Sequence, residues 1–108
     1  DISIWQPKGG FDLVICHSVL QYLSNRDTEA AIEHLGVATK RVMYLEVPTS
    51  SDLKSVVDHR STDFDIHVRS GEWYCKRLLK HFTHAGAGLW IVKSSGISLY
   101  ELERGRDR

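Results

Sequence analysis

Phe11-Asp12-Leu13-Val14-Ile15-Cys16 is the stretch on which the fold turns. It is short, rich in branched side chains and set off by the breaker pair Gly9-Gly10, a pattern that suits a strand covered on both faces, as in a parallel sheet. Val19, Leu20, Tyr22 and Leu23 then make an apolar turn closed by Ser24-Asn25. Asp27 is placed to cap a helix in which Ala31, Ile32, Leu35 and Ala38 recur at helical spacing. Asp27 and Glu29 lie near its positive end, and Lys40 and Arg41 close the negative one. Val42-Met43-Tyr44-Leu45-Glu46-Val47 follows as a second strand, stopped by Pro48.

Beyond Pro48 the chain turns polar and charged. Residues 49–69 read as a long loop with one helical turn, and loops of this length generally carry function. Ser70 reads as an N-cap with Glu72 in the first turn; Cys75, Leu78, Leu79 and Phe82 share one face of a helix that ends near Gly86. Leu89-Trp90-Ile91-Val92 and the run from Ile97 to Leu102 read as strands joined through Ser94-Ser95-Gly96, an antiparallel hairpin. The order is strand, helix, strand, long loop, helix, strand, strand. It defines an α/β sheet with two parallel strands joined by a right-handed crossover, then an antiparallel C-terminal hairpin, with flanking helices. Residues 1–103 form one domain and 104–108 a charged tail.

Composition narrows the setting. With 108 residues, 42% hydrophobic and 26% charged, the chain falls among ordinary soluble globular domains. Fourteen basic and fourteen acidic residues leave no net field to attract nucleic acid or an anionic membrane, so neither is expected as a partner. Cys16 and Cys75 sit in a buried strand and an amphipathic helix, not in a disulfide spacing, which fits reduced thiols and a cytoplasmic location. No run approaches the ~18 apolar residues of a membrane span, and no signal peptide is recognisable. The first residue is Asp1 and not methionine, which points to a fragment.

Phe11-Asp12-Leu13-Val14-Ile15-Cys16 with Val19-Leu20-Gln21-Tyr22-Leu23 is similar to the "FDLV…vLhyl" run of the class I S-adenosylmethionine-dependent methyltransferases. Glu72-Trp73-Tyr74, Leu78-Leu79-Lys80-His81-Phe82 and Gly86-Ala87-Gly88-Leu89-Trp90 resemble members carrying "WYr…L…F…GxGLW". The resemblance implies the C-terminal part of a Rossmann-like sheet whose last strand inserts antiparallel between the fifth and sixth. It also implies S-adenosylmethionine as cofactor and methyl transfer to a small-molecule acceptor. Asp1 would then accept from the adenine amino group, the Ile2 N–H would meet a ring nitrogen, and Cys16, His17 and Ser18 would contact the methionine part. The family's glycine-rich turn and the acidic residue ending its second strand would both precede Asp1, and neither is among these residues. Glycine is needed there because the backbone must approach the ligand closely at a helix N-terminus. Gly86-Ala87-Gly88, read as ending a helix and preceding a strand, has the reverse arrangement.

Methyl transfer asks an enzyme to align two reactants and to take up a proton. For a hydroxyl or amine acceptor the candidate bases are His17, His59 and His67, since imidazole titrates near pH ~6.5. Arg69, Trp73 and Tyr74 would line the acceptor pocket if the long loop folds over it, with Arg69 suited to an anionic acceptor. The plainer alternative has Trp73 and Tyr74 packing their helix against that loop. No metal is expected: His81 and His84 lack further ligands at zinc spacing, and Asp63 and Asp65 are loop carboxylates open to solvent. Trp5, Trp90 and Tyr100 have no basic surface beside them to make a nucleic-acid platform. A second reading is a non-catalytic interaction or dimerisation module. Here Phe11 to Cys16 is an unpaired edge that joins a second copy or a complementing N-terminal half.

Overall fold

The computed structural model describes Ile2, Ile4, residues 10–55 and residues 66–105; Asp1, His59, Asp63 and Asp65 lie outside the described residues. Strand β1 (Phe11–His17) leads through a 3₁₀ turn (Leu20–Tyr22) into helix α1 (Asn25–Ala38). The cap of α1 is Ser24, not Asp27: its extended backbone lets Oγ accept from the Asp27 N–H at 3.2 Å, while Asp27 supplies the first-turn carboxylate. Lys40 and Arg41 do not close this helix. Thr39 ends it, its hydroxyl donating to the Leu35 carbonyl at 2.7 Å, and the chain passes straight into β2 (Thr39–Glu46). The expected helical turn in the long loop is α2 (Ser50–Ser55). Ser70 caps α3 (Gly71–Leu78) by accepting from the Trp73 N–H at 3.1 Å.

Two expectations for the C-terminal third are corrected. Phe82 does not continue the helix; a turn at residues 79–81 releases the chain into β3 (Phe82–Gly86). Gly86-Ala87-Gly88 therefore joins β3 to β4 (Leu89–Val92), and all three residues have positive φ (88°, 53° and 82°), the backbone that a tight hairpin demands. The run from Ile97 to Leu102 is no strand. It carries irregular backbone and a 3₁₀ turn (Glu101–Glu103), and the antiparallel partners of β4 are β2 and β3.

The four strands form one mixed sheet in the order β1-β2-β4-β3. β1 and β2 are parallel, in register from Leu13 opposite Val42 to His17 opposite Glu46. β4 is antiparallel to both of its neighbours. Side chains alternate across the sheet. Cys16, Met43, Leu45, Trp90 and Phe82 meet Ala31, Ile32 and Leu35 of α1 and Tyr74, Cys75 and Leu78 of α3 in a single buried core. Over β1 the other face is open: Phe11, Leu13 and Ile15 are 53%, 58% and 64% exposed, so this strand is covered on one face and not on two as expected.

Candidate functional site at the carboxyl edge of the parallel strands

Parallel strands of an α/β sheet end at the edge where ligands settle, and here β1 and β2 end on His17 and Glu46. The parallel register sets these residues opposite one another, and His17 Nε2 lies 2.8 Å from Glu46 Oε2. Both side chains remain accessible, at 62% and 49%. The Tyr44 hydroxyl, two residues back and on the same face, donates to the same carboxylate oxygen at 3.4 Å. Gly88 makes room for the Tyr44 ring: a Cβ there would lie 2.8 Å from Cε2. Ser18 closes the edge with φ of +54°, and its N–H donates to the Glu46 carbonyl at 2.8 Å.

Cys16, His17 and Ser18 thus stand together, but differently disposed. The Cys16 thiol points into the core, where burial pushes its pKa from the usual 9.0 to about 11, so it is a neutral thiol at physiological pH. Ile2 does not join them. Its side chain packs against the core, and its carbonyl accepts from His34 Nδ1 at 2.8 Å, ten residues and about 15 Å along α1 from the Ser24 cap. His67 is exposed, and its backbone N–H donates to the Gln21 carbonyl at 2.6 Å, tying the returning chain to the turn after β1.

Arg69 is buried beneath this edge. Its Nε donates to Asn25 Oδ1 at 2.6 Å, Nη1 to the Leu20 carbonyl at 3.3 Å and to the Tyr74 hydroxyl at 2.9 Å, and Nη2 to the Leu23 carbonyl. Four of its five N–H groups are committed within the protein. Trp73 packs against two guanidinium groups, its ring centre 4.8 Å from Arg69 Cζ and 3.7 Å from Arg77 Cζ, and meets Tyr74 edge-on. Arg69, Trp73 and Tyr74 are therefore brought together, as a clamp fastening α3 to the turn after β1. A cavity of about 180 Å³ opens beside the clamp, walled by Leu45, Val47, Tyr74, Cys75, Leu78 and Trp90.

Glu46 and Tyr44 have no place among the residues expected from sequence. A carboxylate ending an otherwise apolar run is the local signal, but its partner is chosen by sheet register. Among the described residues, no three His, Cys, Asp or Glu side chains converge as a metal site requires, and no helix is long and apolar enough to cross a membrane. No family model matches the chain, and no curated protein or solved structure matches it.

Proposed function

We propose that the chain is the acceptor-side part of an S-adenosylmethionine-dependent methyltransferase, acting on a small molecule. The observation that carries this reading is the strand order β1-β2-β4-β3, with the last strand inserted antiparallel between its predecessors. It is similar to the order that the resemblance implies, with Leu89–Val92 in the place expected for Ile97–Leu102. Few connections produce it, since a hairpin strand more simply adds at the outer edge.

The residues present fit one wall of such a cofactor site. His17 and Ser18, with the backbone at Cys16, would face the methionine part at the carboxyl edge of β1, where the left-handed turn at Ser18 draws the chain aside. The glycine-rich turn of the opposite wall is not among the 108 residues. When bound, the cofactor supplies an electrophilic methyl group on a sulfonium. The chain's own part is to position the acceptor at the carboxyl edge and to remove its proton. The open cleft between β2, β4 and α3, where Thr49 and His84 join the apolar wall, offers about 180 Å³ for an acceptor's ring or alkyl portion.

The open side of β1 supports association as part of the same reading. Phe11, Leu13 and Ile15 line one face of an edge strand, so that both a strand edge and an apolar face await cover. A second copy or a complementing N-terminal half would supply it.

The test is titration of the ¹⁵N-labelled chain with S-adenosylhomocysteine at millimolar concentration. Amide shifts confined to Cys16–Ser18 and Glu46–Thr49 support the reading. Absence of any response, or shifts centred on the groove that Glu29, Ile32, Arg77 and His81 line between α1 and α3, overturns it.

A further inference from the structure

We infer that two copies of the chain join through β1, antiparallel and edge to edge, about a two-fold axis at Val14, so that their sheets run on as one. The inference deepens the association drawn under the proposed function and rests on the same open strand.

The Ser18 N–H donates to the Glu46 carbonyl at 2.8 Å, which fixes the direction of the backbone groups along β1. These groups alternate from side to side of a strand. Val14 and Cys16 therefore turn theirs toward β2, while Phe11, Leu13, Ile15 and His17 turn theirs to the free side. The side chains of the same four residues stand more than half exposed. Among the described residues, no strand pairs with that side of β1. The opposite edge of the sheet is protected: β3 is bulged between His84 and Gly86, and the Gly105 N–H takes the His84 carbonyl at 2.6 Å.

A second copy is the occupant that fits, because β1 is complementary to itself. Keeping both open faces on one side sets odd-numbered residues opposite odd-numbered ones. An axis at Asp12 places that carboxylate against its own copy. Axes at Leu13 or Ile15 carry one end of the pairing beyond the strand, onto Gly9 or Val19. An axis at Val14 pairs the whole of Phe11–His17: Leu13 falls opposite Ile15 and Phe11 opposite His17, each twice, while Asp12 meets Cys16 and keeps its ion pair with Arg41. Every N–H and C=O on the free side then has a partner. The formal charge of +0 adds no overall repulsion. The partner also gives something to the site, since its Phe11 ring comes beside His17 at the carboxyl edge where His17 meets Glu46.

One strand edge and a few half-exposed side chains fall short of the roughly 800 Å² per partner of a standard interface, so the dimer is a weak one, with dissociation expected at about 10–100 μM. Sedimentation velocity of the full chain is expected to show the mass doubling, and going no further, between about 1 and 500 μM. Disulfide trapping under mild oxidation reads the register. Chains carrying Leu13→Cys and chains carrying Ile15→Cys are expected to cross-link, when mixed, at least about tenfold faster than either does alone. Opposed residues lie about 5.5 Å apart, within disulfide reach, whereas each residue lies about 7–8 Å from its own copy on the diagonal. Both sites are exposed, and the native Cys16 and Cys75 thiols are buried. Equal or faster cross-linking of either variant with itself, no cross-link in the mixture, or a mass that stays at one copy or climbs past two overturns the proposal. A cross-linked mixture whose edge ignores S-adenosylhomocysteine upholds the dimer and removes the methyl-transfer reading. A response to S-adenosylhomocysteine from a chain that stays single does the reverse.

Discussion

Arg69 Nη1 donates to the Tyr74 hydroxyl at 2.9 Å in a place where neither residue meets solvent, at 6% and 3% exposure. The bond ties the cap region of α3 to the carbonyls that end the turn after β1. Arg69→Ala removes the donor to the Tyr74 phenol and the shortest donor to the Leu23 carbonyl, while the Leu20 carbonyl keeps the Leu23 N–H at 3.1 Å, and each buried group left short costs about 1–3 kcal/mol. The expected loss is about 3 kcal/mol in urea denaturation. Tyr74→Phe, which removes a single acceptor, is expected to lose about 1 kcal/mol.

Cys16 gives the fold a dependence on alkaline pH. Its thiol is 6% exposed and titrates at about 11 when folded, against 9.0 ordinarily. Below pH 9 both states hold the proton and stability is unaffected. Between these values the unfolded chain has released it and the folded chain has not, so stability falls as pH rises, by at most about 3 kcal/mol. Cys16→Ala abolishes this component. Urea midpoints of the two proteins, compared from pH 8 to 11, are expected to converge as pH rises.

The β3–β4 turn offers two substitutions of opposite sign at adjacent positions. Ala87 has φ of +53° and an exposed side chain, so Ala87→Gly relieves left-handed strain and is expected to stabilise by about 0.5–1 kcal/mol. Gly88→Ala places a Cβ 2.8 Å from Tyr44 Cε2 and 3.1 Å from the Leu45 carbonyl, at φ of +82°. It is expected to destabilise by about 2 kcal/mol or more. Thermal melts of both variants check the pair.

Ile15→Lys tests the open face of β1. The side chain is largely exposed, so monomer stability is expected to change by no more than about 0.5 kcal/mol. Association is expected to weaken, since the charge falls on an edge strand. Sedimentation velocity over a range of concentrations reads this out: the native chain is expected to gain mass with concentration and the variant is not.

Much of the first half was legible from local pattern. The branched run from Leu13 to Cys16, the helical spacing of Ala31, Ile32 and Leu35, and the cap at Ser70 all follow rules that act within a turn or two. The C-terminal third misled because Phe82 extends the helical spacing of Cys75, Leu78 and Leu79, although Gly86-Ala87-Gly88 carries the hairpin signal just beyond it. Ile97 to Leu102 has the composition of a strand but stays out of the sheet, in which β4 pairs with β2 and β3. At the site, His17 followed from its place at the end of a strand. Glu46 could not, because only the alignment of two strands sets it opposite His17, and Arg69 looked like a ligand group until burial supplied its partners.

The insertion of β4 between β2 and β3 has a consequence for synthesis. A ribosome delivers β1, α1 and β2 before β4, so the inner edge of β2 has no strand to receive until the chain has run on from Glu46 to Leu89. Val42, Met43 and Tyr44 must wait through that interval for Ile91, Trp90 and Leu89. A nascent chain is thus most prone to mispairing with its neighbours on a polysome between the emergence of β2 and that of β4, and the short Gly86–Gly88 hairpin, which closes quickly, is the device that ends the exposure.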